Sequence, residues 1–135
     1  VMGRRKTREH ALRLVYQIQI NDDDINEQME QYFLDNDVKN TAKEYIKKAV
    51  TYINENCKDI DSVLSMYLAK NWRIERIPKI ELAIMRLAYY EILNLEDVPK
   101  SVAINEAVEL AKTYGSDDAG KYINAVLANI QNGEQ

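Results

Sequence analysis

The sequence predicts an all-α protein, a bundle of about seven helices in two closely packed lobes. Apolar residues recur three or four positions apart along nearly the whole chain, which is the period of one helix face. No segment alternates apolar and polar residues for long enough to make a strand. Four glycines and two prolines in 135 residues are too few for a turn-rich β-sandwich or barrel.

Thr7 is placed to cap a first helix whose apolar positions are Ala11, Leu14, Val15 and Ile18. Asp24 and Glu27 have capping-box spacing ahead of the stripe Ile25, Met29, Tyr32 and Phe33. Thr41 and Glu44 repeat that spacing before Ala42, Tyr45, Ile46, Ala49, Val50 and Ile53. Ile60, Val63, Leu64, Tyr67 and Leu68 mark a fourth helix. A weak boundary near Cys57–Asp61 separates an N-terminal three-helix lobe with a basic arm (residues 1–58) from a C-terminal helical lobe (59–135). No Pro/Gly-rich linker lies there, so the two parts are expected to pack together as one domain.

Pro78 disfavours a helical Ile77 and suits the first turn of the next helix, so a short helical turn over Trp72–Arg76 should end there. Ile80–Leu95 is apolar on more than one face, which places it in the middle of the bundle. Glu91 shares the stripe of Ile80, Ile84, Leu87 and Leu95, and a carboxylate buried there would need partners. Ser101 and Ser116 are read as caps of the last two helices, and Gly115 suits a left-handed residue closing the first of them. The tail 131–135 is expected to fray.

One cysteine, Cys57, and one histidine, His10, exclude a disulfide framework and a Cys/His zinc site. His10 has no nucleophile or carboxylate constellation beside it in the sequence and is read as a surface histidine. Cys57 lacks a CxxC neighbour and a basic flank, so it is read as a packed or half-buried thiol. The glycines form neither of the usual phosphate cradles. No catalytic residue, metal or cofactor is therefore assigned, and an enzyme is not expected. No apolar run approaches the roughly 20 residues of a membrane span, and no signal-peptide pattern opens the chain. A cytoplasmic location is expected.

The formal net charge of −4 hides a segregation. Residues 4–13 carry Arg4, Arg5, Lys6, Arg8 and Arg13 against Glu9 alone, whereas residues 21–37 carry seven acids and no Lys or Arg. Lys70, Arg73, Arg76, Lys79 and Arg86 form a second basic stretch. Such asymmetry can steer a polyanion to one face; solvated helix faces are the competing explanation. Phosphates need cations that displace counterions, and unstacked bases need flat side chains. Most of the nine tyrosines occupy core-facing positions. Tyr16, beside the basic helix, and Tyr122, adjoining Lys121, are the two candidates for a ligand contact.

The C-terminal half carries a more specific signal. VPKSVAINEAVELAKTYGSDDAGKYINAVL (Val98–Leu127), preceded by RIPKIELAIMRLAYYEIL (Arg76–Leu93), closely resembles the NusB transcription antitermination factors. RRKTREHALRLVYQ (Arg4–Gln17) fits that family's basic first helix. The likeness spans essentially the whole chain.

The resemblance implies an all-α protein that binds the boxA element of nascent single-stranded RNA together with the ribosomal protein NusE. The pair would act within an RNA polymerase antitermination complex to promote read-through in ribosomal RNA operons. It implies an RNA-contacting role for Arg4, Arg5, Lys6, Arg8 and Tyr16, joined by Lys121 and Tyr122, the latter where the family often has Phe. Glu81 and Asp118 match acidic positions linked in the family to RNA and NusE engagement, and with Arg76 they are the implied partner-binding positions. Ala125 replaces a glycine frequent in the family after the asparagine, here Asn124, and Trp72 lies in a segment that varies. The same domain also occurs fused to ribosomal RNA cytosine methyltransferases, whose cofactor-binding domain 135 residues are not expected to accommodate. The competing function is a helical protein-interaction scaffold that binds no RNA. The sequence also leaves room for a homodimer that covers the basic face.

Overall fold

A computed structural model of the chain describes residues 4–133. Among them lie six α-helices: α1 (Arg4–Ile20), α2 (Ile25–Asp35), α3 (Asn40–Met66), α4 (Lys79–Asn94), α5 (Lys100–Tyr114) and α6 (Ala119–Gly133). A 3-10 turn, Ile74–Arg76, precedes α4, as the proline at position 78 requires. Ile77 is extended and Pro78 sits at the N-cap, so the proline lies one residue outside the helix it introduces.

The expected third and fourth helices meet at a kink within one continuous element, α3, one residue before the expected boundary. α3 runs unbroken across Cys57–Asp61, with a local departure from helical geometry only at Asn56 (φ −118°, ψ 15°). No Gly or Pro interrupts this stretch, and the Asn56 side chain returns a hydrogen bond to the Tyr52 carbonyl, so the kink costs little pairing. Cap positions also differ from the sequence reading. Asp24 does cap α2, accepting from the Glu27 backbone N–H at 3.1 Å. Thr7, however, lies buried inside α1, and α3 starts at Asn40 rather than after Thr41. Pro99 occupies the N-cap ahead of α5, which displaces Ser101 into the helix, and α6 starts at Ala119, three residues past Ser116. At the tail, residues 131–133 continue α6; Glu134 and Gln135 lie outside the described residues.

The greasy helix is central, as its composition demands: α4 packs against α1, α3, α5 and α6. Ile84, Met85 and Leu87 of α4 are almost wholly buried, together with Leu12 and Leu14 of α1, Ile46 and Leu64 of α3, and Ile123, Leu127 and Ile130 of α6. Two carboxylates on α4, Glu81 and Glu91, are buried at 2% exposure each.

Glu91 has the partners its burial needs. Arg8 of α1, itself only 6% exposed, donates from Nε and Nη2 to both carboxylate oxygens at 2.9–3.1 Å. Tyr45 of α3 donates its hydroxyl to Glu91 Oε2. Burial and the adjoining carboxylate push the Tyr45 phenol well above its ordinary pKa, so it remains a donor. One buried ionic cluster thus joins three helices. His10 is likewise inside, at 4% exposure, rather than on the surface. Its Nδ1 lies 2.6 Å from the Tyr32 hydroxyl, tying α1 to α2.

Removing one partner of a buried pair strands the other. Glu91→Ala should lower unfolding free energy by about 3–5 kcal/mol, with Arg8→Met/Glu91→Leu recovering most of it, as read by denaturant titration. A second prediction concerns pH. Burial, then Lys6 and Arg13, depress the His10 pKa from its ordinary 6.5, so below about that pH the unfolded chain takes up a proton the native state refuses. Stability should therefore fall as pH drops from 7 to 5, and His10→Gln should flatten that part of the curve in pH-resolved denaturant melts.

Candidate nucleic-acid interface

The predicted basic residues divide into two groups. Arg4, Arg5 and Lys6 are exposed on the first turn of α1. Arg4 reaches Asp97 Oδ2 at 3.2 Å, and Arg5 holds Glu106 with two hydrogen bonds of 2.8 and 3.1 Å. Those bonds to Arg5 keep the Glu106 carboxyl below its usual pKa. Both arginines nevertheless leave about two-thirds of their side chains open to solvent, 64% and 66%. Arg8 does not join them. Its guanidinium points inward to Glu91, with Glu106 3.7 Å from Nη1, so it offers no free face to a phosphate in this structure. Position along the helix, not face, makes the division: Arg4 lies one turn ahead of Arg8 on the stripe of Ala11 and Val15, and Arg5 seven residues before the buried Leu12, yet both stand at the exposed N-terminal turn while Arg8 is one turn further in.

The α1 face that begins with Arg5 continues through Glu9, Arg13 and Tyr16 at helical spacing and meets α5. Tyr114 of α5 donates its hydroxyl to Glu9 at 3.0 Å and receives a long bond of 3.4 Å from Arg13. Tyr16 is half-buried and packs against the core. Arg86, counted in the second basic stretch, is committed to Asp61 and Gln19. Cys57 is half-buried, as its flanks imply.

A second cluster forms at the opposite end of α4. Glu81 and Glu91 are ten residues apart on that helix, about 15 Å of rise. Glu81 is interior rather than a surface acid. Its two oxygens accept the Tyr122 hydroxyl of α6 and, at 2.8 Å, the Ser116 backbone N–H of the α5–α6 turn. Burial and then this hydrogen bond push the Tyr122 phenol pKa upward. Gly115 is needed for close packing and not for a left-handed turn: it is extended (φ −99°, ψ −178°). A Cβ there would lie 3.0 Å from the Ala111 carbonyl oxygen and the Ala119 Cβ, and 3.3 Å from Glu81 Cγ.

Tyr122, Glu81, Asp118 and Arg76 line one open cavity of about 400 Å³, so the structure brings four of the predicted residues together. Lys121 is exposed beside Tyr122. Trp72 and Arg73 also line the cavity; Arg73 was counted only within the second basic stretch, and Trp72, in an aperiodic turn, was not assigned to a site. Among the described residues no group of three or more His, Cys, Asp or Glu is arranged to hold a metal ion, and no helix is long and apolar enough to cross a membrane.

Comparison with known proteins agrees with this architecture. The NusB family model matches residues 5–132. Transcription antitermination protein NusB of Acetivibrio thermocellus is 41% identical over 129 residues, which cover 96% of this chain and 88% of that protein. The protein of the same name from Clostridium acetobutylicum is 40% identical over 134 residues, 99% of this chain and 98% of its own. The structure of T. maritima NusB superposes with a TM-score of 0.88 at 32% identity, covering 97% of this chain and 92% of that one. A structure of antitermination factors NusB and NusE in complex with dsRNA superposes with a TM-score of 0.84 at 27% identity, over 96% of both chains. With the family's segments at both ends, its helices in order and its length nearly matched, the chain belongs to the NusB family.

Proposed function

We propose that this protein is a non-catalytic, cytoplasmic antitermination factor that binds boxA RNA together with NusE and promotes read-through by RNA polymerase in ribosomal RNA operons. The observation that carries this reading is the exposed cationic first turn of α1, Arg4, Arg5 and Lys6, on a chain of net charge −4. A solved NusB–NusE–RNA complex of the same fold supports it.

Asp97 and Glu106 hold two of these guanidiniums at the surface without withdrawing them from solvent. Exposed ion pairs contribute little and are screened by salt, so RNA phosphates can replace the carboxylates and release condensed cations. Arg8 acts from within, fixing α1 against α4 so that the turn above it is displayed. Tyr16, Lys121 and Tyr122 continue the RNA surface away from the arm. Asp118 and Arg76 offer charges of both signs at the cavity rim, where NusE and the RNA come together, and Glu81 contributes by holding Tyr122 and the Ser116 turn in place.

A helical scaffold that binds protein alone is the second reading. The carboxylate partners already seated on Arg4 and Arg5 favour it, because they occupy the groups a phosphate would need.

Titrating fluorescein-labelled boxA RNA at several salt concentrations, with and without NusE, decides between them. RNA binding should weaken steeply with salt, with a log–log slope near −0.7 for each phosphate engaged. Arg5→Ala should weaken binding and flatten that slope by about one phosphate's share while leaving thermal stability nearly unchanged. A salt-independent titration, or none with NusE present, favours the scaffold.

A further inference from the structure

We infer that Trp72 is a base-stacking residue, and that an unpaired base of the bound RNA seats against the Trp72–Tyr122 pair. The inference rests on the RNA-binding reading and names a contact that reading does not require. α3 ends at Met66, and the chain then turns through Asn71, whose φ of 74° lies in the left-handed region that asparagine tolerates. The Trp72 N–H closes this turn onto the Ala69 carbonyl at 3.0 Å. The indole is thereby presented outward, at 47% exposure, where an aromatic side chain of this size would otherwise be expected to bury.

The indole is backed by a second ring. Its ring centre lies 4.9 Å from that of Tyr122, with the planes tilted by 57°. Tyr122 is in turn fixed through its hydroxyl by the buried Glu81. A flat side chain held in place by a second ring and a buried acceptor is preorganised for stacking, because little rotamer freedom remains to be lost on binding. The neighbours suit a nucleotide. Arg73 and Arg76 flank the cavity, exposed and without ion pairs among the described residues, available to the phosphates on either side of a seated base. Asp118 at the rim supplies an acceptor for an amino edge. The competing occupant, an apolar side chain of a protein partner, would leave the two guanidiniums without a counter-charge.

Trp72 is the single tryptophan of the chain, so its emission reports on this site in the unmodified protein. The labelled boxA RNA is added to the protein–NusE pair while tryptophan emission and RNA anisotropy are followed together, with a NusE lacking tryptophan. Stacking predicts quenching that tracks RNA binding and is absent on adding NusE alone. Trp72→Leu should weaken RNA binding about ten-fold or more, Trp72→Phe should retain most of the affinity, and both should keep the salt slope of the unmodified protein. RNA bound at full affinity by Trp72→Leu, or emission that responds to NusE and not to RNA, overturns the stacking role and leaves the RNA-binding reading intact. Absence of RNA binding by the unmodified protein removes both.

Discussion

A buried guanidinium–carboxylate pair organises this molecule. Arg8 and Glu91 meet in the interior with Tyr45 donating to the same carboxylate, and the three side chains come from α1, α4 and α3. Hydrophobic residues could hold these helices together with equal or greater stability, since taking two charges out of water is expensive. The ionic cluster has a different merit: its hydrogen bonds are directional and tolerate little displacement, so they set how far along and about its axis α1 sits on α4. The placement matters because Arg4 and Arg5 precede Arg8 on the same helix. With Arg8 anchored, the turn ahead of it projects past the anchor and its side chains stay open to water.

The other end of α4 repeats the device with different parts. Glu81 is also buried, yet its partners are a phenol and a backbone N–H, with no ion pair to it among the described residues. It accepts where the first cluster neutralises. What it positions is the start of α6 and one face of the Trp72 ring, through Tyr122. A family phenylalanine at this place would fill the volume and lose the acceptor contact, so the link from Glu81 to the aromatic wall belongs to this chain's tyrosine. Two carboxylates on one central helix therefore organise a cationic turn at one end and an aromatic cavity at the other.

Most of the helices were legible from apolar spacing, and Pro78 and Asp24 marked their boundaries through backbone chemistry that tertiary contacts do not override. Serine and threonine were poorer guides: Thr7, Thr41 and Ser101 all fall inside helices, Ser101 behind a proline N-cap. The boundary expected near Cys57–Asp61 corresponds to a kink at Asn56 and not to a loop, since nothing there removes a backbone donor. The inward turn of Arg8 and His10 was available in the sequence and outweighed by residue type. Arg8 stands on the stripe of Ala11 and Val15, and His10 on that of Leu14 and Ile18, all of them buried. Glu91 was recognised as needing partners by the same periodicity. Which partners it finds depends on helices far apart in the chain, and spacing within one helix cannot supply that. Trp72 carried no periodic signal at all, since its exposure comes from a turn.

The account's central claim is a division of labour among the first arginines: Arg8 holds the fold, Arg4 and Arg5 meet the ligand. It is tested most directly by following the side-chain Nε–H resonances of ¹⁵N-arginine-labelled protein, with unlabelled NusE, as RNA is added. The account predicts that the Arg4 and Arg5 signals move with RNA concentration while the Arg8 signal, protected from solvent exchange by Glu91, keeps its position and its protection. An Arg8 signal that shifts and loses protection as RNA binds, with Arg4 and Arg5 unmoved, would contradict it.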